Sequence, residues 1–271
     1  MRKIFFPLLL VSLLLFTNAC QKNKEPLVDI ITTEGTITIK LYKNTPQHRD
    51  NFIKLVKGGY YDSLLFHRVV KDFMIQSGDP DSKTASHNRM LSDGGPGYTL
   101  PAEIHYPTYF HKRGALCAAR LNNYQNPEKR SSGSQFYIVL GEKFTNVELD
   151  SIEKDAYEKK ITQIMQKNIA IHRPKINEFS LINDKKTLAT LQDSIAALAA
   201  KEVQETSFFT FTKEQRKIYT TLGGTPNLDK EYTVFGEVVS GWEVLDKIAQ
   251  APIDRNQRPV NEIRIIGTNI R

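Results

Sequence analysis

Residues 66–79 read F-H-R-V-V-K-D-F-M-I-Q-S-G-D. Here Arg68 and the neutral amide of Gln76 stand among Val69, Phe73 and Met74, with no activated nucleophile, no paired acid and no metal cluster. Such a site suits a reaction that moves no atoms but needs one hydrogen-bond donor beside an apolar slot. Rotation about a prolyl amide is a reaction of this kind. Its barrier of about 18–20 kcal/mol comes from delocalisation of the nitrogen lone pair into the carbonyl. Twisting the bond makes the nitrogen pyramidal and basic. A fixed cation donating to that nitrogen therefore stabilises the twisted state more than either planar one. Arg68 is the candidate donor: it is always charged, and its rigid fork lets one arm face a substrate while a neighbour holds another. Gln76 is suited to be that neighbour. The same run also reads as two short buried strands with a polar rim, since short apolar runs are common in sheets.

Three further blocks narrow the choice. They are G-A-L-C-A-A-R at residues 114–120, S-S-G-S-Q-F-Y-I-V-L at 131–140 and N-L-D-K-E-Y-T-V-F-G-E at 227–237. In this order the four blocks resemble the cyclophilin family of peptidyl-prolyl isomerases, over roughly residues 27–140 and 223–271. The resemblance implies that Arg68 and Gln76 are catalytic and that Phe73, Met74, Tyr137 and Leu228 surround the substrate proline. It implies that the backbone of Ala119 and Arg120 grips the peptide as an extended strand, and that Gln135 contacts it. Tyr137 stands where the family usually has Phe, Arg120 where it has Asn, Tyr232 where it has His and Asn227 where it has Trp. The rim is thus altered while the centre is kept. Losing the rim indole implies weak cyclosporin binding. No cofactor is called for. His105 and His111, with His67 and His87, match no metal-ligand spacing, and Ser131–Ser134 lacks a nucleophile elbow.

Positioning these residues requires a mainly β fold, which the resemblance gives as a closed antiparallel barrel capped by two helices. The pattern predicts strands over 28–33 and 36–41, turned at Glu34-Gly35. A helix follows, with Thr45 as N-cap, Pro46 at its first position and Gly58-Gly59 at its end. The second capping helix is expected over 242–249, and a strand over 262–267 to close the barrel and remove exposed edges. Asp81 to Gly97 reads as a long surface loop. Residues 141–222 break the pattern. A helical face runs through Tyr157, Ile161, Ile164, Met165 and Ile169, and an a/d seam through Leu188, Leu191, Ile195 and Leu198. Pro174 and Asn183-Asp184 mark the intervening loop, and residues 211–222 suggest a short third helix. This segment reads as an inserted α-helical hairpin. Its stripes either pair with each other and the barrel wall or present a surface to clients.

The N-terminus reads as a signal peptide, residues 1–19. Arg2-Lys3 is the basic start, residues 4–16 the apolar stretch, and Thr17 to Cys20 the cleavage region. Cys20 then resembles the lipid-modified cysteine of a bacterial lipobox, followed by a polar tether to residue 26. Acyl chains there would anchor the protein to a membrane in the cell envelope without a spanning segment. Cys117 is the only other cysteine and lies in an apolar run, so a buried structural thiol is expected rather than a disulfide. The net charge of +7 is unclustered, and residues 141–222 carry 13 Lys+Arg against 12 Asp+Glu. That distribution argues against nucleic acid as a partner. The expected partners are proline-containing unfolded or exported polypeptides, whose folding an isomerase would assist. A non-catalytic holdase or interaction module on the same scaffold is the rival class, which an intact Arg68, Phe73, Met74 and Gln76 disfavours.

Overall fold

The computed structural model describes residues 25–271. The signal-peptide and Cys20 lipidation expectations therefore lie outside the described residues. In chain order the elements are β1 (Leu27–Thr32), β2 (Gly35–Leu41), α1 (Pro46–Lys57), β3 (Arg68–Val70), β4 (Met74–Ser77), β5 (Thr99–Leu100), β6 (Ala115–Ala118), β7 (Ser131–Ser132) and β8 (Phe136–Val139), then α2 (Asn146–Leu181), α3 (Lys185–Glu205), α4 (Lys213–Thr221), β9 (Val234–Ser240), α5 (Trp242–Ala249) and β10 (Ile265–Ile270). The chain divides into two compact units, one running up to Glu142 and resuming over Gly223–Arg271, the other Lys143–Leu222.

The first unit is a curled antiparallel sheet in the order β10-β1-β2-β9-β6-β8-β4-β3. Alternating apolar residues, Val28 and Ile30 on β1 with Ile37 and Ile39 on β2, point into a core shared with Phe52, Leu55 and Val56 of α1 and Leu245 and Ile248 of α5. Each such side chain contributes about 1.5–3 kcal/mol on burial. The closed barrel expected from the sequence is not what forms. The sheet is open, with β3 and β10 as its two ends. Only an isolated bridge, Leu65 opposite Arg264, and a few backbone bonds such as Phe66 N–H to the Ile263 carbonyl (2.9 Å) cross the gap. The last strand also starts three residues later than expected. Residues 250–264 leave the sheet as a loop containing Pro252 and Pro259, which lack the N–H that a ladder needs.

The start of α1 differs from its expected capping. Thr45 occupies the N-cap, but its hydroxyl donates to the Tyr42 carbonyl instead of accepting from the helix. The Glu103 carboxylate does the capping, accepting from the backbone of Gln47 (3.1 Å) and His48 (3.0 Å) and meeting His48 Nδ1 at 2.6 Å. Burial alone would raise this carboxyl, but the His48 and Gln47 hydrogen bonds outweigh it and hold Glu103 below its ordinary range. Asp79 plays the same part in the long loop after β4. It is buried, and its carboxylate accepts from the backbone N–H groups of Asp81, Ser92 and Gly94. Gly78, just before it, has φ +96°, and a Cβ there would lie 2.2 Å from the Ser134 carbonyl oxygen. Only glycine lets β4 lead into this loop while touching the backbone that carries Gln135.

The second unit consists of three helices, with a non-helical link over residues 206–212. Its first helix begins with a capping box, Thr145 exchanging hydrogen bonds with Glu148. It continues for 36 residues, through Pro174. Pro174 therefore does not mark the turn. The chain reverses ten residues later, at Asp184, whose side chain caps α3. Leu149, Ile164 and Asn168 of α2 and Ile195 and Ala199 of α3 are buried. The α3 seam thus passes from Ile195 to Ala199, leaving Leu198 48% exposed. Asn168 is satisfied by the Ile164 carbonyl and by Glu202.

In the first unit, the two points where this segment leaves and rejoins are tied together. Glu142 and Gly224 form an antiparallel bridge with bonds of 3.3 and 3.0 Å. A replacement of residues 143–222 by a short Gly/Ser loop therefore spans only about 5 Å. Such a variant is expected to keep isomerisation of a short X–Pro peptide within a few-fold of the parent. Loss of turnover with an intact β signature in circular dichroism would mean that the helical unit supplies part of the site.

Candidate active site

The β3–β4 hairpin carries the first half of the site. Arg68 lies directly opposite Gln76 and Val70 opposite Met74, and β8 lies on the other side of β4 with Tyr137 opposite Gln76. These registers put Phe73, Met74 and Tyr137 into one apolar cluster with Cys117, Ala119, Val234, Leu228 and Tyr232, separate from the main core. The four residues expected to surround the proline, Phe73, Met74, Tyr137 and Leu228, thus come together, with Ala119 and Tyr232 beside them. Met74 and Tyr137 are buried, while Phe73, Leu228 and Tyr232 remain partly open. Asn227 is exposed in the short 3-10 turn Pro226–Leu228, beside Leu228.

The Arg68 guanidinium is half-buried, 5.8 Å from the Phe73 ring centre. Burial disfavours its charge and lowers its pKa somewhat, yet guanidinium stays protonated at any ordinary pH. Its Nε donates to Gln257 Oε1 at 2.8 Å. The holding role expected of Gln76 is therefore taken by Gln257, 189 residues along the chain. Gln76 is buried and donates to Gln135 Oε1 at 2.9 Å, and Gln135 in turn donates to the Gly94 carbonyl at 2.7 Å. This amide chain ties β4 to β8 and to the glycine-rich loop.

Ala119 and Arg120 divide the role assigned to them. Ala119 donates its N–H to Gln135 and accepts from Ser132, so its backbone is engaged within the fold. The Arg120 backbone makes no backbone bond among the described residues. Its side chain is nearly fully covered. Nε donates to the Glu231 carbonyl, Nη2 to the Glu231 carboxylate, and the guanidinium sits 4.4 Å from the Tyr232 ring centre. Burial alone would raise the Glu231 carboxyl; hydrogen bonds and charge from Lys129, with Arg120, outweigh it and hold it low. Arg120 and Tyr232, two of the expected departures from the family pattern, thus contact each other. A stacked guanidinium of this kind fixes the ring's position.

The hydroxyl that distinguishes Tyr137 from Phe also has a partner. It lies 3.0 Å from His111 Nε2, and His111 Nδ1 meets Asp229 Oδ1 at 2.9 Å. Asp229 also accepts from the His111 backbone N–H. Both His111 and Asp229 are buried. His111, weighed from sequence only as a metal ligand, instead partners the Tyr137 hydroxyl. Asp229 stood in the N-L-D block beside Leu228 and gave no signal of this role. Burial pushes both the Tyr137 phenol and the Cys117 thiol well above their ordinary pKa values, so both stay neutral, as expected of a structural thiol. Among the described residues no three His, Cys, Asp or Glu side chains gather as a metal site.

The family model for cyclophilin type peptidyl-prolyl cis-trans isomerases matches residues 27–157 and 154–270. The chain belongs to the cyclophilin family. A relative from Staphylococcus haemolyticus (strain JCSC1435), named "Putative peptidyl-prolyl cis-trans isomerase", is 27% identical over 260 residues, covering 94% of this chain and 98% of the relative. One of the same name from Staphylococcus aureus (strain COL) is 27% identical over 88% of both chains. Among solved structures, a Cryptosporidium parvum cyclophilin type peptidyl-prolyl cis-trans isomerase aligns with a TM-score of 0.55 at 21% identity, over 92% of this chain and 98% of that one. It was also solved in the presence of the dipeptide Ala-Pro, and that structure aligns with a TM-score of 0.53 at 22% identity, over 90% of this chain and 98% of that one. This cyclophilin therefore shares its fold with proteins of that activity while altering the rim around the slot.

Proposed function

We propose that this cyclophilin catalyses cis–trans isomerisation of X–Pro bonds in exported polypeptides, from a membrane surface to which an acylated Cys20 tethers it. The observation that carries the catalytic reading is the Arg68 guanidinium, half-buried against Phe73 and oriented by Gln257. The proline ring enters the slot of Phe73, Met74, Tyr137 and Leu228. The open backbone of Arg120 hydrogen-bonds the substrate as a neighbouring strand. One arm of Arg68 then donates to the prolyl nitrogen as the bond twists. That donation exists only in the twisted state, so it lowers the barrier without tightening the ground state. The Ala-Pro used with the Cryptosporidium parvum relative supports a proline ligand. Refolding of an exported protein whose slow phase is limited by proline provides the test. Catalytic amounts of the enzyme should accelerate that phase, which otherwise takes tens of seconds. A phase unchanged in rate would count against the reading.

The tether rests on the lipobox-like end of the apolar N-terminal stretch. Cys20→Ser is expected to move the protein from the membrane fraction to the soluble fraction of cells expressing the full chain. Retention of the variant in the membrane fraction would refute the anchor.

Weak cyclosporin binding belongs to the same reading. Asn227, exposed beside Leu228, stands where an indole would supply apolar area and a hydrogen bond. Losing such an anchor commonly costs about 2 kcal/mol or more, some thirtyfold or more in affinity. Asn227→Trp is expected to raise drug sensitivity by at least about tenfold while changing peptide turnover only modestly. Titrating the drug against both proteins checks this, and nanomolar inhibition of the parent would contradict it.

A further inference from the structure

Beside Arg68 lies a cavity of about 320 Å³ whose lining includes neither Gln76 nor the residues of the apolar slot. Three guanidinium groups line it, those of Arg68, Arg89 and Arg258, together with His67 and Gln257, and none of its lining residues is acidic. The nearby carboxylates are spoken for from outside the lining: Asp81 pairs with Arg89 at 2.5 Å, Glu262 with Arg258 at 2.7 Å, and Asp254 lies 3.5 Å from His87 Nε2 while accepting from the backbone of Asn256 and Arg258. Arg68 makes no ion pair among the described residues, because its Nε partner is the neutral Gln257. Two polar groups on the wall are buried without well-formed hydrogen bonds. His67 is 3% exposed and neither ring nitrogen is satisfied; Arg258 is 3% exposed and its Nε–H is unmatched. Burial keeps the His67 ring neutral, with a pKa of about 4, so it offers one N–H donor rather than a charge. Buried donors of this kind are costly to leave unmade. Planar guanidinium forks match carboxylate and phosphoryl oxygens in pairs.

We propose that this cavity is a subsite for an anionic side chain of the substrate polypeptide, a carboxylate or a phosphoryl group close in sequence to the proline. The inference rests on the isomerase reading for the placement of the proline. Because Arg68 belongs to both the slot and the cavity wall, the acidic residue lies within about three positions of the proline, at about 3.3–3.6 Å per extended residue. Arg68 then contributes to the recognition of the acid through the field it shares with Arg89 and Arg258. Its own arm remains directed at the prolyl nitrogen.

The test uses the full chain and a set of X–Pro peptides with Glu, phosphoserine, Gln or Lys at each position from three before to three after the proline. Both kcat/KM, by exchange spectroscopy, and affinity, by calorimetry, are read. At one or more positions Glu or phosphoserine should exceed Gln by at least about threefold, with Lys below Gln, and the gain should shrink as salt rises. A gain with Glu assigns the site to carboxylates, and a gain confined to phosphoserine assigns it to phosphoryl groups. Arg89→Ala, with its fold checked by circular dichroism, should bring that ratio toward one. A ratio under threefold at every position, in turnover and in affinity, would overturn the subsite, as would a ratio unmoved by Arg89→Ala. If no peptide turns over at all, the isomerase reading fails by itself, and the affinity ratios still decide the subsite.

Discussion

Arg68→Ala is expected to lower kcat/KM on a short X–Pro peptide by at least about tenfold, equivalent to about 1.4 kcal/mol of transition-state stabilisation. The loss should fall on kcat more than on KM, because the donated bond exists only when the prolyl amide is twisted. Removing a single donor aimed at developing charge costs a hundredfold or more in some enzymes, so tenfold is the lower bound. Arg68→Lys should also be poor. A lysine ammonium is a point charge and cannot hold the Gln257 oxygen through one nitrogen while presenting another to the substrate. Gln257→Ala should cost less than Arg68→Ala, since it loosens the guanidinium without removing it. Full activity in a correctly folded Arg68→Ala protein would reject the assignment.

The largest effect on stability is expected at Asp229. Its carboxylate accepts from both the backbone N–H and the ring of His111, and both side chains are buried. Asp229→Ala leaves those buried donors unmatched and frees the ring that supports the Tyr137 hydroxyl. Leaving buried donors without partners costs about 1–3 kcal/mol each, or a melting temperature lower by roughly ten degrees for a unit of this size. Thermal unfolding followed by circular dichroism measures it. A loss below about 1 kcal/mol would mean that the Asp229–His111–Tyr137 chain does not support the slot.

The parts of this site legible in the sequence are those carried by short blocks. Arg68, Phe73, Met74 and Gln76 lie within nine positions of one another, and the two-residue period of β3 and β4 predicts which of them face together. The partners that orient them are distant and carry no local signal. Gln257 sits in an irregular loop at φ +65°, where nothing in the neighbouring residues announces a contact with Arg68. His111 and Asp229 are 118 residues apart, and a lone histidine in a sequence does not reveal which nitrogen will be held, or by what. The open sheet was missed for a related reason. Apolar alternation shows that residues near 262–267 can be a strand, but it does not report that the approach folds back on itself, with Ile253 bridging Pro259 and the Val260 N–H donating to the Pro252 carbonyl. In the helical unit, Pro174 reads as a break because proline removes one backbone donor. A helix of 36 residues, about 54 Å at 1.5 Å per residue, has enough other bonds to run through it.

The claim that Arg68 beside its apolar slot makes this protein a catalyst, not merely a binder, is tested most directly at equilibrium. Two-dimensional exchange NMR on an Ala-Pro-containing peptide, with the protein present at a few per cent of the peptide concentration, reads interconversion of the cis and trans signals. Exchange cross-peaks are expected within a second of mixing, far faster than the uncatalysed tens of seconds, and should disappear with Arg68→Ala. Peptide signals that broaden on binding while cis and trans fail to exchange would contradict it, and would mark the protein as a holdase on a cyclophilin scaffold.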